Sequence, residues 1–217
     1  MKLINLDHSP YAARIRIQIR KKNLPIEIIA PPLPLKSPEF VQKFTLGKIP
    51  LLELDDGGYL PESVAILEYL EDSYTAIPLR PKSAVATARM RVLMSFADTH
   101  FGPALFPLFR ALINPGAEIN REQQIAAIRA ELGKLDRLLA EDIPLSNRTL
   151  HLGDITLVPT LWYATAVLPL FGEADILGGF EQVLAWWAWV NKDAEVSCTL
   201  AEMDTAFRAF ANTLKKT

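Results

Sequence analysis

Cysteine is almost missing from this sequence: Cys198 stands alone among 217 residues. An intramolecular disulfide is therefore excluded, and a reducing compartment, the cytoplasm, is the expectation. A charge excess is missing too, with 23 basic against 25 acidic side chains. Nucleic-acid binding asks for a basic stripe or a high pI, so no nucleic acid is expected as a partner. The one basic run is Arg14, Arg16, Arg20, Lys21 and Lys22, which reads as a solvated helix face. Asp7 and His8 follow only six residues, so a signal segment is not expected. The stretch Ile155 to Gly172 carries no charge, but Pro159, Pro169 and three threonines interrupt it. A buried core helix explains it better than a membrane span, and no membrane partner is expected.

Half of the residues are hydrophobic, enough for a substantial core. Up to about Tyr74 the pattern is mixed α and β. Lys2 to Leu6 and Ile26 to Ala30 suit strands, and Leu51 to Leu54 with Tyr59-Leu60 flank the turn Asp55-Asp56-Gly57-Gly58 as a hairpin. Val64, Leu67 and Leu70 mark an amphipathic helix over Ser63 to Tyr74. Arg14 to Arg20 alternates with period two, which by pattern alone favours a strand. Pro78 and Pro81 lie in a linker from Thr75 to Ala84.

Beyond the linker the spacing is helical throughout. Ile125, Ile128, Leu132, Leu135, Leu138 and Leu139 form one stripe, and Leu200, Met203, Phe207, Phe210 and Leu214 another. Val183, Leu184 and Trp187 mark a further helix. A long helix from Ser83 to Phe101 is expected to be disturbed at Gly102-Pro103 and at Pro107.

Four local motifs stand on this frame: Ser9-Pro10-Tyr11-Ala12-Ala13-Arg14-Ile15, Gly47-Lys48-Ile49-Pro50, Glu62-Ser63-Val64-Ala65-Ile66, and His151-Leu152-Gly153-Asp154 running into Leu157-Val158-Pro159. In this order they resemble the glutathione transferase superfamily, a serine-type bacterial member similar to the zeta, tau or theta classes. The resemblance implies an α/β, thioredoxin-like domain over residues 1–76 and an all-α, helical domain over residues 84–217. It also makes Arg14 to Lys22 a helix, against the alternation. Glutathione would be the co-substrate, with no metal.

By that resemblance Pro50 follows a cis bond that turns the Ile49 backbone toward a peptide-like ligand, as an added strand would pair. Glu62 would meet the ligand ammonium and Ser63 its carboxylate, at a helix N-terminus that itself suits an anion; simple capping is the alternative. Lys36 and Lys48 are candidates for the glycyl carboxylate, and Asp98 for the ammonium across a dimer interface. Ser9 would donate to the thiolate, which favours the ionised form. Tyr11 competes for that role, or lines an electrophile pocket with Phe101, Phe106 and Phe109; His8 reads as a loop residue. Asp154 would belong to a helix capping box, where His151 replaces the expected hydroxyl residue. The implied activity is transfer of glutathione to a small apolar electrophile by a homodimer. Two alternatives remain open: a glutathione-dependent isomerase like maleylacetoacetate isomerase, and a binding or regulatory protein that keeps the fold without the chemistry.

Overall fold

The computed structural model describes residues 1–114 and 116–214. Four short strands, β1 (Lys2–Ile4), β2 (Glu27–Ile29), β3 (Leu51–Glu53) and β4 (Tyr59–Pro61), form one sheet in the order β2-β1-β3-β4. β1 and β2 run parallel, while β3 is antiparallel to both β1 and β4. Alternation along each strand sorts the side chains to two faces. Leu3 and Leu52 join the main core, whereas Ile4 and Leu51 pack with Phe40 and Phe44 on the opposite face.

That opposite face is covered by α2 (Pro38–Lys43), a short helix the sequence reading did not identify. Ser37 caps it, its Oγ accepting from the Phe40 N–H at 3.1 Å, and Pro38 occupies the first turn, where no amide donor is needed. The other face carries α1 (Pro10–Lys22) and α3 (Ser63–Ser73). α1 is helical, as the resemblance implied and the alternation did not. The reason is that α1 is enclosed on every side: Ile15, Ile17 and Ile19 are buried, and so are Arg14, Arg16 and Gln18. The basic run is therefore not a solvated face. Arg14 pairs with Asp98 at 2.7 Å, Arg16 with Glu202 at 2.5 Å, and Lys22 with Glu71 at 2.8 Å.

The helical part comprises α4 (Ala84–Phe96), α5 (Gly102–Ile113), α6 (Arg121–Ala140), α7 (Leu152–Val167), α8 (Glu181–Val190) and α9 (Ala194–Leu214). The expected break at Gly102-Pro103 is a turn of π-helix, Ala97–Phe101, after which α5 continues and tolerates Pro107 in its interior. The α6 stripe buries Ile128, Leu132, Leu135 and Leu139, and the α9 stripe buries Leu200, Met203 and Phe207. The side chain of Leu214 lies outside the described residues.

α7 is the centre of the molecule. Leu152–Phe171 is long and apolar enough to span a membrane by composition, yet 72% of its most apolar window is buried within the protein. It packs most extensively on α4 and α1. At Gly153 the contact with α4 is close enough that a Cβ would stand 2.7 Å from the Met90 carbonyl, so only glycine fits. The helix begins with a complete capping box: His151 Nδ1 accepts from the Asp154 N–H at 3.3 Å, and Asp154 Oδ2 accepts from the His151 N–H at 3.1 Å. The imidazole thus does the work expected of a hydroxyl. Asp154, fully buried, also receives Arg148 at 2.5 Å and the Trp186 indole N–H at 2.8 Å.

Candidate functional site

Two adjoining cavities lie where the sheet unit meets the helices. The larger, about 620 Å³, is lined by Lys48, Ile49 and Pro50 before β3, by Pro61, Glu62 and Ser63 at the entry to α3, and by Asp98, Pro103 and Pro107. The smaller, about 260 Å³, is lined by His8, Ser9 and Pro10 at the entry to α1, by Leu105 and Phe109 of α5, and by Thr160 and Tyr163 of α7. Tyr11, Ile49, Gly102 and Phe106 line both. At this junction a Cβ on Gly102 would lie 2.9 Å from the Ala97 carbonyl and 3.5 Å from the Tyr11 hydroxyl. Glycine here lets the π-turn close while α5 approaches Tyr11.

Ser9 is the N-cap of α1, with extended φ and ψ of −77° and 120°, and its Oγ accepts from the Ala12 N–H at 3.3 Å. Capping uses a lone pair and leaves the hydroxyl hydrogen free to donate into the cavity. The partial positive end of the helix points the same way and favours an anion there. Ser9 is thus both the cap of α1 and part of the cavity wall.

The peptide bond between Ile49 and Pro50 is cis. Glu62 precedes α3 with φ +68°, lines the cleft and makes no side-chain capping bond, and its carboxylate has no partner among the described residues. Ser63 is buried and its Oγ accepts from Arg14 Nη1 at 3.1 Å. Arg14 is the hub behind the cleft: Nη2 donates to Thr160 Oγ1 at 3.0 Å and pairs with Asp98, while the guanidinium lies 4.7 Å from the centroid of the Tyr11 ring. Burial is the main influence on the Tyr11 hydroxyl and pushes its pKa up; Arg14 pulls it down, and Asp98 and Glu62 add to the rise. Tyr11 is accordingly a neutral phenol at ordinary pH, able to donate but not ionised.

Lys48 is exposed and lines the cleft, with no ion-pair partner among the described residues. Lys36 is not brought to it. That side chain is exposed, on a turn where Lys36 has φ +64°, and it lines neither cavity. Phe101 is also corrected: it is fully buried, its ring 6.4 Å from that of Phe96, because the π-turn rotates it into the core. Phe106, 61% exposed, and Phe109 line the apolar cavity instead. Asp98 is present in the cleft of this same chain, held by Arg14. Among the described residues no group of three or more His, Cys, Asp or Glu could hold a metal ion.

Residues 3–78 match the family model described as the glutathione S-transferase N-terminal domain, and residues 118–188 the one described as the glutathione S-transferase C-terminal domain. The glutathione S-transferase-like protein FUS3 of Gibberella moniliformis is 31% identical over 74% of this chain and 73% of its own. The chain belongs to the glutathione S-transferase superfamily. Its fold is that of the superfamily, a thioredoxin-like sheet domain followed by a helical one. A glutathione S-transferase from Methylobacillus flagellatus KT, solved with GSH bound, superposes with a TM-score of 0.75 at 25% identity, over 91% of this chain and 98% of that one. Elongation factor 1-gamma 2 of Oryza sativa subsp. japonica is 33% identical over 60% of this chain, which spans only 32% of that protein's length.

Within this glutathione S-transferase fold, sequence reasoning missed Arg14 as the hub of the cleft and Thr160 and Tyr163 as cavity residues. His8 does lie on the turn between β1 and α1, as read, and there it also lines the apolar cavity, its ring stacked on Phe210 of α9 at 4.8 Å. The position of His8 beside Ser9 was the one available signal. For Thr160 and Tyr163 the sequence offers none, because they lie inside an apolar helix that reads as core.

Proposed function

We propose that this superfamily member is a serine-type glutathione S-transferase, in which Ser9 stabilises the glutathione thiolate for attack on a small apolar electrophile. One observation supports the reading: a polar cleft lined by Lys48, Ile49 and Glu62, the lysine and glutamate without an ion-pair partner among the described residues, opens past Tyr11 into an apolar cavity lined by Ser9. In this reading Lys48 meets the glycyl carboxylate, Ile49 pairs with the peptide backbone, and Glu62 and Ser63 hold the γ-glutamyl end. The tripeptide sulfur then lies near the Ser9 hydroxyl, and the second substrate fills the smaller cavity. A free thiol has a pKa near ~8.5, and a shift of one unit is ~1.36 kcal/mol, within reach of one hydroxyl donor and a helix end. Calorimetric titration with glutathione tests the site without knowledge of the electrophile; absence of binding by folded protein at millimolar concentration refutes it. Ser9→Ala should lower turnover of a chlorodinitrobenzene and raise the pH at which bound thiol ionises, and an unchanged pH profile would remove Ser9 from the mechanism.

A second reading has its own support. Several relatives carry the name of an elongation factor rather than of a transferase, which favours a binding protein that retains the fold. Binding of glutathione without conjugation of any electrophile would select it. A cytoplasmic homodimer completes the first reading; light scattering at the mass of one 24.2 kDa chain would refute the pairing.

A further inference from the structure

Ser9 owes its place to the turn in front of it. Between β1 and α1 the chain reverses over Leu6-Asp7-His8-Ser9, closed by the Ser9 N–H donating to the Leu6 carbonyl at 2.9 Å. Both central residues of this turn are held from outside it. The Asp7 carbonyl accepts from Arg16 Nη2 at 2.6 Å. The Asp7 carboxylate accepts from Asn5 Nδ2 at 2.8 Å and lies 3.4 Å from Arg16 Nη1. The His8 ring stacks on Phe210 of α9 with an interplanar angle of 8°.

Arg16 is fixed in turn by α9. Its Nη1 donates to Glu202 Oε2 at 2.5 Å, and Glu202 Oε1 accepts from Arg20 Nη2, one turn further along α1, at 2.5 Å. A bridge Glu202–Arg16–Asp7 therefore runs from α9 to the turn that presents Ser9. Neither Arg16 nor Glu202 lines either cavity. Arg16 is 1% exposed, and its Nε has no hydrogen-bond partner among the described residues. A guanidinium so placed is a costly way to join two helices. Desolvation offsets much of what the pairing gains, and an apolar side chain of similar size often serves as well. An apolar side chain, however, cannot grip a backbone carbonyl and a carboxylate from one planar fork.

We propose that Arg16, anchored by Glu202, is the positioning residue that sets the Ser9 hydroxyl against the glutathione sulfur, so that α9 takes part in activating the thiol. This rests on the glutathione-conjugation reading above. A hydroxyl lowers a thiol pKa only while it donates to the sulfur, and a misplacement of about 1 Å is enough to cost ~10²-fold in rate. The cap bond from Ala12 to Ser9 Oγ is long, 3.3 Å, so the turn rather than the cap fixes that oxygen. Without Arg16 the Asp7 carbonyl loses its donor and the turn its tie to α9. Lys48, Ile49, Glu62 and Ser63 come from segments that no hydrogen bond or ion pair joins to Arg16 among the described residues, so the grip on the tripeptide is left as it was.

The test uses the full chain and two ligands. Ultraviolet absorbance of the thiolate reads the pH at which bound glutathione ionises. Calorimetry reads affinity for S-methylglutathione, which keeps the tripeptide but has no thiol proton. Arg16→Met should raise the ionisation pH by about one unit and lower kcat at neutral pH about tenfold, with S-methylglutathione affinity unchanged. Glu202→Ala, at a side chain 39% exposed, should shift the pH in the same direction and decides alone if Arg16→Met does not fold. The double variant should rise no further than Arg16→Met, since Glu202 acts through Arg16. Arg16→Lys keeps the charge without the fork and should share the rise. An unshifted ionisation pH in the folded variants, full rescue by Arg16→Lys, or an equal loss of S-methylglutathione affinity would overturn this proposal alone. A wild-type protein that binds no glutathione removes the conjugation reading and this one together.

Discussion

Glu62 holds a backbone conformation that non-glycine residues avoid. Its φ of +68° with ψ of 113° lies outside the regions open to L-residues, and strain of this kind is worth about 1–3 kcal/mol. It lines the cleft, with a carboxylate that meets no partner among the described residues. Glu62→Gly is therefore expected to stabilise the fold by about 1 kcal/mol, after allowing for the greater freedom of glycine in the unfolded chain. The same change should weaken glutathione binding about tenfold or more, the worth of one charge-assisted hydrogen bond. Urea unfolding and calorimetry read the two effects separately, and a glycine variant that loses stability would show that the conformation is not strained. Ser9 calls for a similar separation, because it is both cap and candidate donor. Ser9→Asp keeps an N-cap as good as serine but sets an anion beside the thiolate, so it should leave the urea midpoint nearly unchanged while abolishing thiol ionisation at neutral pH. Loss of the fold in Ser9→Asp would assign Ser9 a structural role.

At the scale of elements, the start of α7 shows how one side chain can substitute for another class. An imidazole can accept at Nδ1 only when neutral. Burial is the main influence on His151 and lowers its pKa below the ordinary 6.5, with Arg148 adding and Asp154 opposing. The folded state thus binds fewer protons here than the unfolded chain, and stability from this group is present above pH 6.5 and lost as pH falls below it. His151→Ser keeps a capping oxygen and should flatten the decline of the urea midpoint below pH 6.5, with His8, lowered by burial in the same direction, supplying the remaining slope. A decline unchanged by the substitution would dissociate the cap from the pH response. Elements differ in how plainly the sequence marks them. The hairpin, α3, α6 and α9 were readable because each buries one face and exposes the other. α2 was not, since six residues carry too little period, and α1 was misleading because it has no exposed face to reveal one.

At the scale of the molecule, the linker between the sheet unit and the helices is fastened rather than loose. Glu71 of α3, almost fully buried, pairs with Lys22 of α1 at 2.8 Å, and its Oε1 accepts from the Leu79 and Arg80 N–H groups at 2.8 and 3.1 Å. The Leu79 carbonyl in turn accepts from the Leu152 N–H at 3.0 Å, reaching α7. Glu71→Gln keeps an acceptor for the linker but leaves the Lys22 ammonium buried without a counter-charge. That should destabilise the chain by about 3–5 kcal/mol in urea unfolding, with partial recovery on adding Lys22→Met. No recovery in the double variant would place the loss in the linker bonds instead.

The division between chain and fold follows the range of the forces involved. Local order decided the strands, the glycine turn, the capped helix starts and the motifs at Ser9, Ile49-Pro50 and Glu62-Ser63, because turns, caps and amphipathic stripes depend on neighbours a few positions away. Only the tertiary structure decided that Arg14 lies buried behind the cleft, that Phe101 leaves the site for the core, that Lys36 stays outside it, and that His8 and Tyr163 share one cavity. Those outcomes depend on which carboxylates and rings meet a side chain from distant parts of the chain: Asp98 and Thr160 for Arg14, Phe210 for His8. Burial of a charge or an aromatic ring is settled by such partners, and no local pattern records them.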